Sequence, residues 1–303
     1  MNDVDRSLLL LLAALLLLTG CRTTLSPAVD RELEPIIAPK KARIGVGAVW
    51  NHRVIAAVND DCGYPLMSVM KFHQALTVAD VLSRSGTPLK RMLFIARDEL
   101  KPDTWSPLRN RYPLGDKALS VLELLEYTLR QSDNNACDIL FRRFGGPKAV
   151  DRYIRSLGFD RFALAVTEEE MHTDPACCYA NRSAPTEMAL LLDRFVDRAP
   201  FATEYRDFIV RTMLACTTGT DRLPAGLANT GTVIGHKTGT GDRDKQGDQI
   251  GFNDAGFVRI PDGEWYTIAV FIRDSAQEKA DDARTIAEIS EAVFRHISGL
   301  KKK

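Results

Sequence analysis

The chain has 303 residues, of which 45% are hydrophobic and 26% charged, and its 40 basic residues balance 40 acidic ones. That neutrality argues against a general nucleic-acid binder, which needs a basic excess to displace counterions. The composition excludes collagen-like, mucin-like and fully disordered chains, and the length allows one or two domains with a substantial core.

Leu8 to Leu18 is an unbroken Leu/Ala run. It is shorter than the roughly 20 apolar residues of an ordinary spanning helix and fits the apolar core of a signal peptide. Leu18-Thr19-Gly20-Cys21 follows directly and resembles a bacterial lipobox. That resemblance implies a lipid on Cys21, loss of residues 1–20 and a periplasmic protein anchored to a membrane. The flank is atypical, since Asp3 and Asp5 accompany a lone Arg6. The other reading is an ordinary signal peptide with an incidental Cys21.

Residues 21–40 read as a tether plus the start of a first helix. Arg43 to Trp50 and Val54 to Val58 alternate around Asn51-His52-Arg53, a hairpin signal. A helix is expected from near Ser68 to near Gly86, with Phe72, Leu76, Val78 and Val81 apolar. Further helices are expected over Leu119–Arg130, Asn135–Phe144 and Pro147–Leu157, the last with proline in its first turn. Residues 165–185 hold few periodic apolar positions and read as a long loop, often a functional feature. Thr186–Phe195 and Tyr205–Leu214 are helical in pattern. Strands return at Thr232–Lys237, Asp254–Ile260 and Trp265–Arg273, and an amphipathic helix closes the chain over Ala276–Ile297.

Strands thus lie at both ends and helices between them. The simplest architecture is α+β: one antiparallel sheet built by both termini and flanked by terminal helices, with an inserted all-helical domain. The boundaries expected are 41–62 with 216–303 for the sheet domain and 63–215 for the helical one.

Six cysteines are scattered without zinc spacing, so no metal is expected. With Cys21 lipidated an odd five remain, and Cys177-Cys178 are neighbours that could pair only under strain. Cys137 lies in an apolar helical stretch and reads as a buried free thiol.

Three short motifs carry chemistry only as a set. Ser68-Val69-Met70-Lys71 places a hydroxyl and an amine on one helix face. An amine so placed can accept the serine's proton or hold a water that does. By itself the motif is weak, and Ser298 with Lys301 repeats it by accident in the tail. Ser132-Asp133-Asn134 can be read as an ordinary helix cap. Lys237-Thr238-Gly239-Thr240-Gly241 can be read as a strand entering a glycine turn.

In this order the three resemble the penicillin-recognising serine enzymes, with spacing similar to class A β-lactamases over nearly the whole mature chain. The resemblance implies that Ser68 attacks the β-lactam carbonyl, that Lys71 relays protons and that Ser132 protonates the departing nitrogen. It implies an oxyanion hole from the N–H groups of Ser68 and Thr240. Asn134 then holds the substrate's amide, and Lys237, Thr238, Gly239 and Thr240 its carboxylate. No cofactor is implied, and the protein is expected to act as a monomer on a small β-lactam.

Hydrolysis also needs a carboxylate that activates water against the acyl-enzyme. Thr167-Glu168-Glu169-Glu170-Met171-His172 lies in the long loop ahead of Asn181 and Ala184-Pro185-Thr186. Spacing back from Pro185 matches Glu168 to the family's general base, with Glu169 and Glu170 competing. The family usually has Asn four residues after that base. Here stands His172, which positions water through a ring nitrogen or merely packs the loop. Met-His in this loop, His236 before Lys237 and Ser-Asp-Asn-Asn-Ala-Cys-Asp over 132–138 resemble the extended-spectrum and Bacteroides-type subgroup.

Trp105 is either an aromatic gate beside the substrate or a packing residue. Arg222 lies where part of the family keeps a carboxylate-steadying arginine, with Arg243 and Arg259 as rivals and a surface position as the default. The alternative functions are a DD-peptidase and a β-lactam sensor, both acylated at Ser68 without fast turnover.

Overall fold

A computed structural model describes residues 27–301. The signal-like run and Cys21 lie outside the described residues.

Residues Arg43–Trp50 (β1) and Arg53–Val58 (β2) form the expected hairpin, whose turn places Asn51 and His52 at positive φ. Short strands follow at Tyr64–Pro65 (β3), Met92–Ile95 (β4), Lys117–Ser120 (β5), Phe162–Ala163 (β6) and Arg182–Ser183 (β7). The C-terminal third adds Val233–Thr240 (β8), Gln249–Arg259 (β9) and Trp265–Ser275 (β10). The main sheet has the order β2-β1-β10-β9-β8 and is antiparallel throughout. Its edge strand β8 borders the cleft.

Each face of the sheet is covered. Helix Pro27–Ile37 buries Val29, Leu33 and Ile37, one stripe at four-residue spacing, and packs beside helix Lys279–Leu300. Together they cover the outer face with Ile286, Ile289 and Val293. Helix Pro185–Arg198 crosses the inner face against β1, β10 and β9.

The helical body is built around Met70–Arg84, whose residues are buried almost all round, polar ones included. Five short strands, β3 to β7, lie among its helices, where the sequence suggests helices and loops but no strand.

Several boundaries differ from the sequence expectation, each for a local reason. Ser68 sits on a 3-10 turn, Met67–Val69, and the α-helix begins only at Met70. Helix Val121–Arg130 starts after Ser120, which caps it in a reciprocal capping box with Glu123. Strand β9 begins at Gln249 because its polar residues spend their side chains on neighbouring backbone: Asn253 donates to Pro65 O at 2.6 Å and accepts from Ile272 N–H at 3.2 Å. The last helix begins at Lys279, after Ser275 has donated to Asp282 at 2.9 Å. The long loop carries its own structure, a helix at Glu168–Thr173 and a 3-10 segment at Pro175–Ala180.

Candidate active site

The cleft lies between the edge strand β8 and the helical body. Gly239 brings the two together: a Cβ there would meet Leu66 O at 2.6 Å and Ser68 N at 3.3 Å. Only a glycine lets β8 approach the Ser68 turn so closely. Met67 and Ser132 flank the cleft with φ of 48° and 58°, left-handed values that non-glycine residues adopt at a cost and that cluster at working sites.

Lys71 organises the centre and is wholly buried. Its Nζ donates to Ser68 Oγ at 3.0 Å, Ser132 O at 2.8 Å and Asn134 Oδ1 at 2.6 Å. It also pairs with Glu168 Oε1 at 2.9 Å. Ser68 Oγ donates to the same Glu168 oxygen at 3.2 Å. A nucleophile-bearing hydroxyl therefore meets a buried carboxylate able to take its proton, beside an ammonium that stabilises the resulting charge.

The Ser132 loop is fixed by its middle residue. Asp133 accepts from Leu108 N–H at 2.6 Å, Ala136 N–H at 2.8 Å and the Ser106 hydroxyl at 3.0 Å. Its burial raises its carboxyl pKa. Asp133 thus is the helix cap, and its neighbours face the cleft. Lys237 Nζ donates to Ser132 Oγ at 2.9 Å, and Asn134 Nδ2 donates to Thr104 Oγ1 at 2.8 Å. Burial, with Lys71 nearby, pulls the Lys237 ammonium down to about 7.

The three consecutive glutamates separate cleanly. Glu168 is buried and points at Ser68. Glu169 faces outward and pairs with Lys101 at 3.2 Å. Glu170 closes a capping box with Thr167, accepting its N–H at 2.7 Å. The short helix is held from below by Asp138, the last residue of the 132–138 stretch, to which sequence reasoning gave no role. Its carboxylate accepts the N–H groups of Glu168 and Glu169. Asn181 clamps the same loop through Ala165 N–H at 2.8 Å and Val166 N–H at 3.0 Å.

Among the arginines, Arg222 is the one at the cleft, and it is buried rather than on the surface. Its guanidinium stacks 3.6 Å over Phe252 and donates to Asn253 O at 2.6 Å, Gly239 O at 3.1 Å and Thr240 Oγ1 at 2.6 Å. Arg243 instead binds Gln277 O at 3.0 Å, and Arg259 lies over Trp265. Thr238 Oγ1 meets Thr218 Oγ1 at 2.7 Å.

Trp105 is 62% exposed, its indole N–H tied to Gln131 O at 2.9 Å, and it is no core residue. It borders a cavity of about 430 Å³ lined by Ser68, Ser132, Thr238 and Arg222. A second cavity, of about 490 Å³, adjoins it past Asn134 and Glu168 and reaches the exposed His172. Cavities of this size suit a small, drug-sized molecule. The described cysteines Cys62, Cys137, Cys177, Cys178 and Cys216 are all unpaired, with Cys137 buried.

An antiparallel sheet against a helical body, with serine, lysine and glutamate converging at their junction, defines a serine acyl-transfer enzyme. The chain matches the Beta-lactamase enzyme family over residues 28–297. A β-lactamase of Bacteroides uniformis is 38% identical over 93% of this chain and 97% of its own. The extended-spectrum β-lactamase PER-1 of Pseudomonas aeruginosa is 32% identical over 89% of this chain and 87% of its own. The crystal structure of a class A β-lactamase from Bacteroides cellulosilyticus superposes with a TM-score of 0.86 at 38% identity, covering 89% of this chain and 97% of the other. The chain belongs to the β-lactamase enzyme family and, within it, to the class A serine enzymes.

Proposed function

We propose that this chain hydrolyses the β-lactam amide of penicillin- and cephalosporin-type antibiotics through an acyl-enzyme on Ser68. The observation that carries the reading is the position of Glu168 Oε1, 3.2 Å from Ser68 Oγ and 2.9 Å from Lys71 Nζ. A class member with this carboxylate in place has a base for both halves of the reaction. In acylation Ser68 gives its proton to Glu168 as its oxygen attacks the lactam carbonyl. Lys71 passes a proton through Ser132 Oγ to the departing nitrogen, and Glu168 then restores the Lys71 proton. In deacylation Glu168 takes a proton from water as the hydroxide attacks the ester carbonyl, and Ser68 leaves protonated.

The N–H groups of Ser68 and Thr240 receive the developing oxyanion, which the close approach at Gly239 supports. Lys237, Thr238 and Thr240 take the substrate carboxylate, with Arg222 fixing the strand beneath. Asn134 meets the substrate amide, Trp105 walls the entrance, and His172 steadies water near Glu168. Every group belongs to one chain, so a single copy suffices. The Leu8–Leu18 run and the lipobox-like Cys21 support export to the periplasm and a lipid anchor.

The test is hydrolysis of a chromogenic cephalosporin, with intact-protein mass spectrometry. Ser68→Ala should lose turnover and form no adduct. Glu168→Gln should acylate more slowly, with Lys71 at 3.0 Å as the remaining base, and then accumulate acyl-enzyme, whereas Glu169→Gln and Glu170→Gln keep turning over. Wild-type-like deacylation in Glu168→Gln refutes the assignment.

A further inference from the structure

The hydrolytic reading leaves unused an ion pair buried behind β8. Side chains alternate along a strand, so His236 and Thr238 lie on the face opposite Lys237 and Gly239. Asp254 on β9 stands directly across from Thr238 in the strand register. From there its carboxylate reaches diagonally back along β8 and meets His236 Nδ1 at 2.9 Å and 3.0 Å. Both side chains are buried. Gly256, opposite His236, leaves the room for this: a Cβ there would meet His236 Cβ at 2.9 Å and Gly235 O at 2.7 Å.

The same carboxylate accepts a second donor, the Leu223 N–H at 3.2 Å. Leu223 directly follows Arg222, whose guanidinium donates at 2.6 Å to the carbonyl of Asn253, the neighbour of Asp254. Thr238 closes the frame, since its Oγ1 meets Thr218 Oγ1 at 2.7 Å in the turn that leads to Arg222. Asp254 thus joins the strand residue before Lys237 to the turn residue after Arg222. Burial works against the His236 proton, but Asp254 outweighs it and raises the ring to about 10. The other titratable group facing the ring is Cys216. The pair therefore stays charged through neutral pH. Apolar side chains of like volume hold a fold about as well as a buried ion pair, so what the charged pair adds is direction.

We propose that Asp254, together with His236, is a positioning residue for capture of the substrate carboxylate: it sets the distance between the β8 edge carrying Lys237 and Thr238 and the turn carrying Arg222. The inference rests on the hydrolytic reading for the roles of those three residues, whereas the brace itself does not. Neither Asp254 nor His236 lines the cleft cavities, so neither touches the substrate. Both act through the groups they hold in place. Their loss falls on carboxylate binding and leaves the chemistry at Ser68 in place.

The test compares wild type, Asp254→Asn, His236→Ala and His236→Asn on a carboxylated cephalosporin and on its carboxylate ester. Asp254→Asn should raise KM for the acid about tenfold, as loss of charged hydrogen bonds does, with kcat within about threefold. KM for the ester should stay within about twofold. His236→Ala should behave alike. His236→Asn sets an amide donor where Nδ1 stands and should restore most of KM, although both histidine variants melt earlier because the Asp254 charge has lost its counter-ion. Should Asp254→Asn fail to fold, the two His236 variants decide. In wild type, nitrogen-15 NMR should show both His236 ring nitrogens protonated from pH 6 to pH 9. Equal changes for acid and ester, an unchanged KM in His236→Ala, no recovery in His236→Asn, or a ring that titrates near the ordinary 6.5 overturns the proposal. Absence of hydrolysis by wild type strikes the hydrolytic reading instead, and the ring spectrum stands apart from it.

Discussion

Asp138 and Glu168 are tied through the backbone: one Asp138 carboxylate oxygen accepts the Glu168 N–H and the other the Glu169 N–H, each at 2.9 Å. The first turn of the short helix is thereby anchored to helix Asn134–Arg143, which also carries Asn134 into the cleft. Removing the anchor should slow both halves of the reaction, deacylation more, because Glu168 loses its fixed position while Lys71 still stands 3.0 Å from Ser68 Oγ. Asp138→Ala should accumulate acyl-enzyme on intact mass spectrometry and lose about 1–3 kcal/mol of stability, the range for hydrogen bonds to a charged acceptor. Burial and the nearby Glu168 raise Asp138 to about 7. A carboxyl raised on folding contributes most below its unfolded value, and that contribution is lost as pH rises through about 7. Urea denaturation at pH 5 and pH 8 should therefore show wild type losing more stability than Asp138→Ala on going to pH 8. Parallel curves refute the link.

Lys237 gives a second pH signature, in binding. Its ammonium is pulled down to about 7 by burial and by Lys71, and only the charged form attracts a carboxylate. KM for a carboxylated β-lactam should rise above pH 7, approaching about tenfold per pH unit. The same β-lactam as a carboxylate ester should show no such rise. A bound anion restores the proton, so kcat should stay flatter than kcat/KM. Steady-state kinetics from pH 6 to pH 9 on the acid and ester pair checks this, and identical profiles count against Lys237 as the carboxylate partner.

The motif residues were legible because spacing on regular elements carries them: Lys71 one helical turn after Ser68, and Lys237 and Thr238 on alternate faces of β8. The choice among Glu168, Glu169 and Glu170 was legible only by resemblance, since three adjacent glutamates share composition and propensity. The structure separates them by where each finds a partner: Ser68 and Lys71, Lys101, or the capping Thr167. Asp138 was quoted only as the end of the 132–138 stretch, and its role stayed invisible because its partners are backbone N–H groups 30 and 31 residues away, which leave no local pattern. The start of β9 was missed for a related reason. Gln249 and Asn253 read as polar loop residues ahead of the expected strand start at Asp254, yet both are buried, their side-chain amides donating to neighbouring carbonyls.

Arg222 is buried, and its charge serves three acceptors on two strands. The guanidinium plane also covers Phe252. A lysine cannot reproduce a planar fork that donates in several directions while stacking. Arg222→Lys should therefore behave nearly as badly as Arg222→Ala. Both should raise KM for carboxylated substrates and lower stability by about 2–4 kcal/mol, through unpaired carbonyls and a cavity beside Phe252. Thermal unfolding together with kinetics reads this, and full rescue by lysine shows that charge alone mattered.

Trp105 tests the opposite case, an aromatic whose contribution is to the cleft and not to the fold. It is 62% exposed, and among the described residues its hydrogen bonds are from its indole N–H to Gln131 O and to its own carbonyl, which accepts Asn134 N–H at 3.0 Å. The backbone contact survives any substitution, so Asn134 keeps its place in Trp105→Ala. Stability should change by no more than about 0.5 kcal/mol, as for surface positions generally. An apolar wall on the cavity is lost, and with it binding area for the substrate's side chain. KM should rise about three- to thirtyfold, corresponding to roughly 0.7–2 kcal/mol, while kcat falls less. Trp105→Tyr keeps most of the wall and should restore most of the loss. Unchanged KM in Trp105→Ala places the residue outside the substrate's path, and a large fall in thermal stability makes it a packing residue after all.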